Sequence, residues 1–233
     1  MPIGVFIDCF CILLGATVGS KFKSVIPNHI KEPLNIIFGI SAISIGIVSC
    51  IKLKSLPAVI LSLILGCLIG ELIKLDTHIK NAFSKIILKL NFNIEGDYEE
   101  YMNFYIIVAV TFCASGTNIF GSLNEGMTGD MTVLISKAVM DIFASVIFAT
   151  TLGYAINLIV IPQCLILSTL FYLSKLIMPI ISQTMLSDFI AVGGILTFVL
   201  GLSILKIIKI NVANLLPALI LVFPASYIFG LLF

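Results

Sequence analysis

Residues 113–130, CASGTNIFGSLNEGMTGD, form a polar, glycine-rich island within a chain of apolar spans. Hydrophobic residues make up 60% of the 233 residues, charged residues make up 11%, and the mean hydropathy is +1.20. This composition predicts a protein that lies in a bilayer. Because lipid offers no partners for free backbone groups, an interrupted helix survives there only where protein or a watery cavity surrounds it. We therefore expect function at the polar island.

Apolar runs separated by polar connections predict helices of roughly 20 residues, the length that crosses a bilayer. We place them at residues 3–20, 34–51, 55–73, 102–120, 131–158, 162–181, 186–207 and 212–232. The predicted fold is an all-α polytopic membrane protein with seven to eight transmembrane helices in a single integral membrane domain, residues 1–233. The polar island predicts a broken or re-entrant segment near residues 111–130. The first span lacks a basic n-region and a cleavage site, so we expect a retained helix.

The longest polar connection spans residues 74–100. Apolar residues recur there at helical spacing between lysines, which predicts an amphipathic stretch along the membrane surface: Ile79, Phe83, Ile86, Ile87 and Leu90, with Lys80, Lys85 and Lys89. Lysines that follow odd-numbered spans outnumber those on the other side. The positive-inside bias then predicts a cytoplasmic connection and an amino terminus outside.

Two short segments predict an internal repeat. Residues 39–46 (GISAISIG) and 194–201 (GILTFVLG) share their glycine spacing, and each precedes a similar span start, LPAVIL at 56–61 and LPALIL at 216–221. The repeat-like units cover about residues 34–73 and 186–232. Five spans separate the copies, so they would be inserted in opposite orientations, as in many transporters. Chance recurrence in a chain rich in Ile, Leu and Gly is the alternative.

A charged pair lies within the fifth span. Ionisable groups at such depth cost roughly 2.5 to 3.5 kcal/mol on insertion scales, so they call for a role. Lys137 and Asp141 stand four residues apart, which places them on one helical face where they can pair, and Ser145 continues that stripe. A solute site and a neutralised structural pair both fit this pattern.

The polar island supplies a second stripe, because Thr111, Ser115, Asn118 and Ser122 follow one another at helical steps. Either a half-helix that carries solute ligands or a polar packing stripe followed by a capping loop would produce it. The candidate substrate- or ion-binding residues are Ser115, Gly116, Thr117, Asn118, Asn124, Glu125, Thr128, Asp130, Lys137 and Asp141. Weaker candidates are Asp8, Thr111, Ser122, Ser145 and Asp188.

Several other classes of function lack a signal. The net charge of +1, without a dense basic run, argues against nucleic-acid binding. The six cysteines show no CxxC spacing and the two histidines no metal-ligand pattern, so neither a metal nor another cofactor is expected. An enzyme is not expected, since there is no histidine at membrane depth and no nucleophile elbow. The GxxxG spacings at Gly15/Gly19 and Gly66/Gly70 fit helix contacts within one chain or across a homodimer.

The polar island, together with residues 135–142, 187–195 and 214–222, resembles the YqgA-like (YdfK/YqgA) family of bacterial inner-membrane proteins. The similarity extends over nearly the whole chain. It implies a multi-pass protein of the bacterial cytoplasmic membrane in a transport-like group, but it implies neither a substrate nor an activity. From the residues and the resemblance together we expect a small-solute or ion transporter with a polar site in mid-membrane. A non-transporting membrane partner or sensor is the main alternative.

Overall fold

The computed structural model describes residues 1–23, 28–89, 97–177 and 179–232. These residues form an all-helical bundle, which confirms the predicted fold class. The α-helices are α1 (Ile3–Lys21), α2 (Asn28–Cys50), α3 (Leu56–Leu72), α4 (Leu75–Lys89), α5 (Tyr98–Cys113), α6 (Gly116–Thr128), α7 (Thr132–Leu152), α8 (Val160–Ile177), α9 (Gln183–Ile204) and α10 (Ala218–Leu232). Two 3₁₀ helices cover Gly153–Ile159 and Val212–Leu215. Leu90 and the start of the acidic segment after it lie outside the described residues.

Five helical runs of the described chain are long and apolar enough to cross a membrane, or six if the bent pair α3 and α4 counts as one span. The longest run, Thr132–Ile177, has 46 residues. A straight helix of that length would measure about 69 Å, twice the hydrocarbon core of a bilayer. The run turns back at Gly153, where φ is +65°, and so makes two passes. This agrees with the expected seven to eight spans, although the predicted fifth helix ends at Leu152 rather than at residue 158.

Helices α1 and α7 pack closely and run parallel. Gly15 lies against the Ile142 carbonyl and Gly19 against the Val146 carbonyl, so the residue numbers rise together along the two helices. A methyl group added to Gly15 would lie 2.3 Å from Ile142 O. Only glycine allows two backbones to approach this closely.

Helices α2 and α9 pack equally closely but run antiparallel. Gly39 lies against the Gly201 carbonyl and Gly46 against the Gly194 carbonyl. The two matching segments of the sequence repeat therefore contact each other in opposite directions.

Helices α3 and α10 form a third close pair at their glycines. Gly66 contacts Ala218 at the start of α10, and Gly70 contacts Asn214 in the preceding 3₁₀ helix. Both GxxxG spacings of the sequence thus make contacts within one chain.

Helix α4 bends by 55° from α3 and occupies the predicted amphipathic stretch. Ile87 is fully buried, and the Phe83 ring meets Tyr105 of α5 edge to face, with 5.2 Å between the ring centroids. Lys85 and Lys89 are exposed. One face of α4 therefore covers the end of the bundle, while Lys85 and Lys89 point to where solvent or headgroups can meet them, and Lys80 pairs with Asp76 at 2.8 Å.

Candidate functional site

The predicted broken segment is a break between α5 and α6 at Ala114 and Ser115, where the sequence alone suggested one helix over residues 102–120. Tyr101 donates a hydrogen bond to Leu152 O at the end of α7 (2.9 Å), whereas Glu125 accepts one from Gly4 N at the start of α1 (2.8 Å). Because α1 and α7 are parallel, these contacts lie at opposite ends of the bundle. The segment therefore crosses the bundle and does not return to the end from which it started.

The break leaves polar groups inside the bundle. Asn118 Nδ2 donates to Phe112 O at 3.1 Å and so satisfies a carbonyl that the interruption frees. Ser115 occupies the N-cap position of α6, but its side chain makes no capping bond. Gly116 faces Gly193 of α9 at van der Waals distance. The amino-terminal N–H groups of α6, which carry the positive end of its dipole, thus lie in the interior of the protein.

A cavity of about 660 Å³ opens beside this break, between α2, α7 and α9. Apolar side chains form most of its wall. The predicted site residues that line it are Thr111, Ser115, Gly116, Thr117, Lys137 and Asp141. The polar residues Ser41, Ser49, Thr132, Ser136 and Thr197 also line it. The sequence did not single these out, because isolated hydroxyls in an apolar helix carry no distinctive pattern.

Lys137 and Asp141 form the charged part of this wall. The Lys137 ammonium group pairs with Asp141 Oδ1, as their spacing predicts, and lies 6.0 Å from the centroid of the Phe112 ring. Both side chains are nearly buried, with 11% and 3% of their areas exposed. A pair removed from water to this extent is worth little for stability unless its remaining atoms are also satisfied.

Asp8 of α1 lies behind Asp141, on the side away from the cavity. Its carboxyl group is fully buried and near enough to that of Asp141 for the two groups to interact. Gln163 Nε2 of α8 donates to Asp8 Oδ2 at 2.7 Å. The weaker candidate Asp8 thus joins the charged pair, and Gln163, which the sequence did not indicate, completes a buried cluster of four polar residues. A lone glutamine in an apolar span, between Pro162 and Cys164, gave no signal beyond its polarity.

Three other predicted residues are buried between helices and do not line the cavity. Ser122 Oγ donates to Leu167 O of α8, and Glu125 holds the first turn of α1 through Gly4 N. Asn118, described above, bridges the helix break. Their contacts are those of a packing stripe, which was the alternative interpretation of this helix face.

Asn124 and Thr128 lie near the end of α6, and Asp130 lies in the turn between α6 and α7, at the end of the bundle. Asp130 Oδ1 accepts from Thr132 N at 2.9 Å and from Thr132 Oγ1 at 2.6 Å, and Asn124 Nδ2 donates to Asp130 O at 3.3 Å. The hydrogen bonds from Thr132 hold the pKa of the Asp130 carboxyl below its ordinary value. Gly129, with φ at +78°, closes the turn. These residues cap α7, an alternative that the sequence left open for Asp130.

The two remaining weak candidates also have structural partners. Asp188 lies in the second turn of α9 and caps α3: its Oδ1 accepts from Lys54 N (2.8 Å) and Ser55 N (2.9 Å), and its Oδ2 accepts from Ser226 Oγ. Ser145 donates to Ile142 O and packs against Gly15. Neither lines the cavity.

Apolar spans, a helix interrupted inside the bundle and a cavity that carries a buried ion pair define a multi-pass membrane protein with an internal polar site. The chain belongs to the family described as "Protein of unknown function (DUF554)", whose model matches residues 3–227. The resemblance drawn from the sequence is thereby confirmed.

Two relatives cover nearly the whole chain. The chain is 40% identical to "Uncharacterized protein YqgA" of Escherichia coli (strain K12) over 227 residues, 97% of each chain. It is 26% identical to "Uncharacterized membrane protein YdfK" of Bacillus subtilis (strain 168) over 239 residues, 99% of each chain. No solved structure matches the chain. The relatives support a membrane protein but name no activity.

Proposed function

We propose that this protein is a small-solute or ion transporter of the bacterial cytoplasmic membrane, with its amino terminus outside. The observation that carries the proposal is the cavity of about 660 Å³, which brings together the break between α5 and α6 and the Lys137/Asp141 pair. An ion pair beside an interrupted helix is costly in a membrane protein. Such features mark substrate or ion pathways.

The antiparallel contact of α2 with α9 supports an inverted repeat. A transport cycle needs a site that opens first to one side and then to the other, and two units of opposite orientation provide two similar arrangements of one fold. We propose that the units at about residues 34–73 and 186–232 form this repeat. They would rock against α7 and the helix break, which contribute the remaining wall of the cavity.

The proposed solute contacts are those that face the cavity. Ser115, Thr117 and Thr111 offer hydroxyl groups, the start of α6 offers backbone N–H groups, and Lys137 and Asp141 offer opposite charges. We propose transport without chemical conversion of the solute and without a cofactor. The apolar remainder of the wall suits a small molecule with few polar groups or a partly dehydrated ion.

The first test measures the thermal stability of the purified protein with a panel of ions, amino acids, carboxylates and other metabolites. A ligand that binds only the folded state raises the unfolding temperature, and the increase grows with the logarithm of its concentration relative to its dissociation constant. We expect at least one compound to raise it, and we expect Thr117→Val to reduce the shift. Thr169→Val is the matched control, because Thr169 Oγ1 is exposed on α8 and donates to Leu165 O of its own helix.

The compound identified in this way is then tested for flux into liposomes that contain the protein. We expect flux with the native chain and with Thr169→Val, and at least a tenfold loss with Asp141→Asn, the change expected when a buried charge contact of about 1.4 kcal/mol or more is removed. Unchanged flux with Asp141→Asn would place the pathway elsewhere. A stoichiometric partner protein together with indifference to every solute would instead favour a membrane partner or sensor.

A further inference from the structure

Asp8 and Asp141 place two interacting carboxyl groups inside the bundle, and the Lys137 ammonium group pairs with Asp141. Asp8 has no exposed area, and Asp141 is 2% exposed. Two ionised carboxylates at this separation would repel each other strongly in a medium of low dielectric constant. Two negative charges beside one positive charge would also leave a net charge within the apolar part of the protein.

The hydrogen bonds of the two carboxyl groups show which oxygens are left over. Asp8 Oδ2 accepts from Gln163 Nε2 at 2.7 Å, and Asp141 Oδ1 pairs with the Lys137 ammonium group. Among the described residues, Asp8 Oδ1 and Asp141 Oδ2 have no hydrogen-bond donor. A proton bound to one of them would supply the donor that the other lacks. It would also make the set of Asp8, Asp141 and Lys137 electrically neutral.

We propose that Asp8 and Asp141 form a carboxyl pair that holds one shared proton and exchanges it with the cavity. The inference rests on the proposed transport function, to which it adds the coupling ion. Asp141 lines the cavity whereas Asp8 does not. A hydronium ion from the aqueous phase that reaches the cavity therefore gives its proton to Asp141 and leaves a water molecule behind. Release returns the proton from Asp141 to water.

The groups around the pair favour a proton over a sodium ion. The Lys137 ammonium group already occupies the cation position beside Asp141. Other titratable groups near the pair are the thiols of Cys9 and Cys11 on α1, and Cys164 of α8 and Cys113 of α5 lie near Cys9. A neutral thiol adds no charge, so these cysteines leave the charge balance of Asp8, Asp141 and Lys137 unchanged.

Infrared difference spectroscopy of the purified protein tests the pair directly. A protonated carboxyl group has a C=O stretching band that a carboxylate lacks and that shifts in heavy water. We expect this band at neutral pH in the native chain. Either Asp8→Asn or Asp141→Asn should abolish it, because the single remaining carboxylate then pairs with Lys137. Loss in both single variants is the signature of one proton shared by two residues.

Glu125→Gln provides the comparison, since Glu125 is a buried carboxyl group that contacts α1 at Gly4 rather than at Asp8. The band assigned to the pair should survive this change. Gln163→Leu removes the donor to Asp8 Oδ2 and should shift the band without abolishing it. This variant also keeps the test decisive if Asp8→Asn does not fold. A band that persists unchanged in folded Asp8→Asn and Asp141→Asn would overturn the proposal.

Three further outcomes distinguish the proposal of a shared proton from the proposal of transport. A thermal stabilisation that sodium gives and potassium does not, lost in Asp8→Asn, would replace the proton with a sodium ion. A shared-proton band in a protein that moves no solute would leave the pair in place and contradict the transport proposal. Solute flux that is independent of a pH gradient, with no shared-proton band, would contradict the pair and retain transport.

Discussion

The helix pairs α1–α7 and α2–α9 both pack with their backbones in close contact, but they differ in orientation and in the polar groups that they bury. Both bring two helices together through glycine, with Gly15 and Gly19 in the first pair and Gly39 and Gly46 in the second. The first pair is parallel and encloses buried charges. The second is antiparallel, and its serines Ser41 and Ser44 donate to carbonyls of their own helix.

Because of this difference, we expect the helix α7 side of the cavity wall to resist sliding and the α2–α9 side to allow it. The α1–α7 interface combines close backbone contact with the buried cluster around Asp8 and Asp141, so a shift of α1 along α7 would pull the Asp8 carboxyl group away from its donor Gln163 and leave buried polar groups without partners, at a large cost. The glycines of the α2–α9 interface make contact by shape alone, and the buried Asp188 of α9 holds the connection after α2 at Lys54 N and Ser55 N, toward one end of the pair. Helices packed in this way can slide by small steps at little cost, which is the shear type of motion. We therefore expect α1 and α7 to form the frame of a transport cycle and the α2–α9 pair to form its moving wall.

The largest expected effect is on the frame. In Gly15→Ala, the added methyl group would lie 2.1 Å from Ser145 Oγ and 2.3 Å from Ile142 O, and the backbone carbonyl cannot rotate away. We expect the free energy of unfolding to fall by about 3 kcal/mol or more. Denaturant-induced unfolding of the purified protein in mild detergent measures it.

Gly230→Ala is the matched control for Gly15→Ala, because a methyl group at Gly230 of α10 would meet nothing within 4 Å. Its free energy of unfolding should stay within about 0.5 kcal/mol of the native value. Equal losses in the two variants would show that the effect belongs to glycine in general and not to the contact between α1 and α7.

A smaller loss of stability is expected in the moving wall. In Gly46→Ala, the methyl group would lie 2.7 Å from Gly194 O and from Phe198 Cβ. The contact is longer than at Gly15, so we expect a loss of about 1 to 2 kcal/mol. In addition, solute flux into liposomes should fall per folded molecule, because the added methyl group hinders the motion of α2 along α9. A loss as large as that of Gly15→Ala, with flux per folded molecule unchanged, would abolish the distinction between frame and moving wall.

The sequence predicted the parts of this arrangement that depend on local spacing. Lys137 and Asp141 pair because four residues separate them on one helix, and the helix breaks within the polar island. The sequence could not predict that Asp8 meets Asp141 or that Gln163 meets Asp8. These contacts join residues 133 and 155 positions apart, and they depend on α1 and α7 being parallel neighbours. Amphipathic periodicity orients a helix, but in lipid, where most faces are apolar, it does not identify the neighbour.

The same limit explains why the predicted site separated into several places. Asn118, Ser122 and Glu125 share a helix with the cavity residues, and their polarity alone gave no way to tell a solute ligand from a packing contact. The decisive facts are their partners, Phe112 O, Leu167 O and Gly4 N. Leu167 O and Gly4 N belong to α8 and α1, which the sequence does not place beside α6. A polar stripe in a membrane helix therefore indicates that partners exist, but not whether they are solute or protein.

The smallest expected effect concerns the turn that leads into the frame. Asp130 accepts hydrogen bonds from the backbone N–H and hydroxyl of Thr132 at the start of α7, and these bonds lower the pKa of its carboxyl group. A carboxyl group whose pKa is lowered by folding stabilises the native state above its unfolded pKa, and this contribution is lost as the pH falls through the folded value. Asp130→Ala should therefore be slightly less stable than the native chain at neutral pH, and the difference should narrow as the pH falls below the ordinary carboxyl range. Unfolding temperatures measured across this range test the prediction. A difference that is constant with pH would show that the turn anchors α7 through its geometry alone and that the charge of Asp130 adds nothing to the frame.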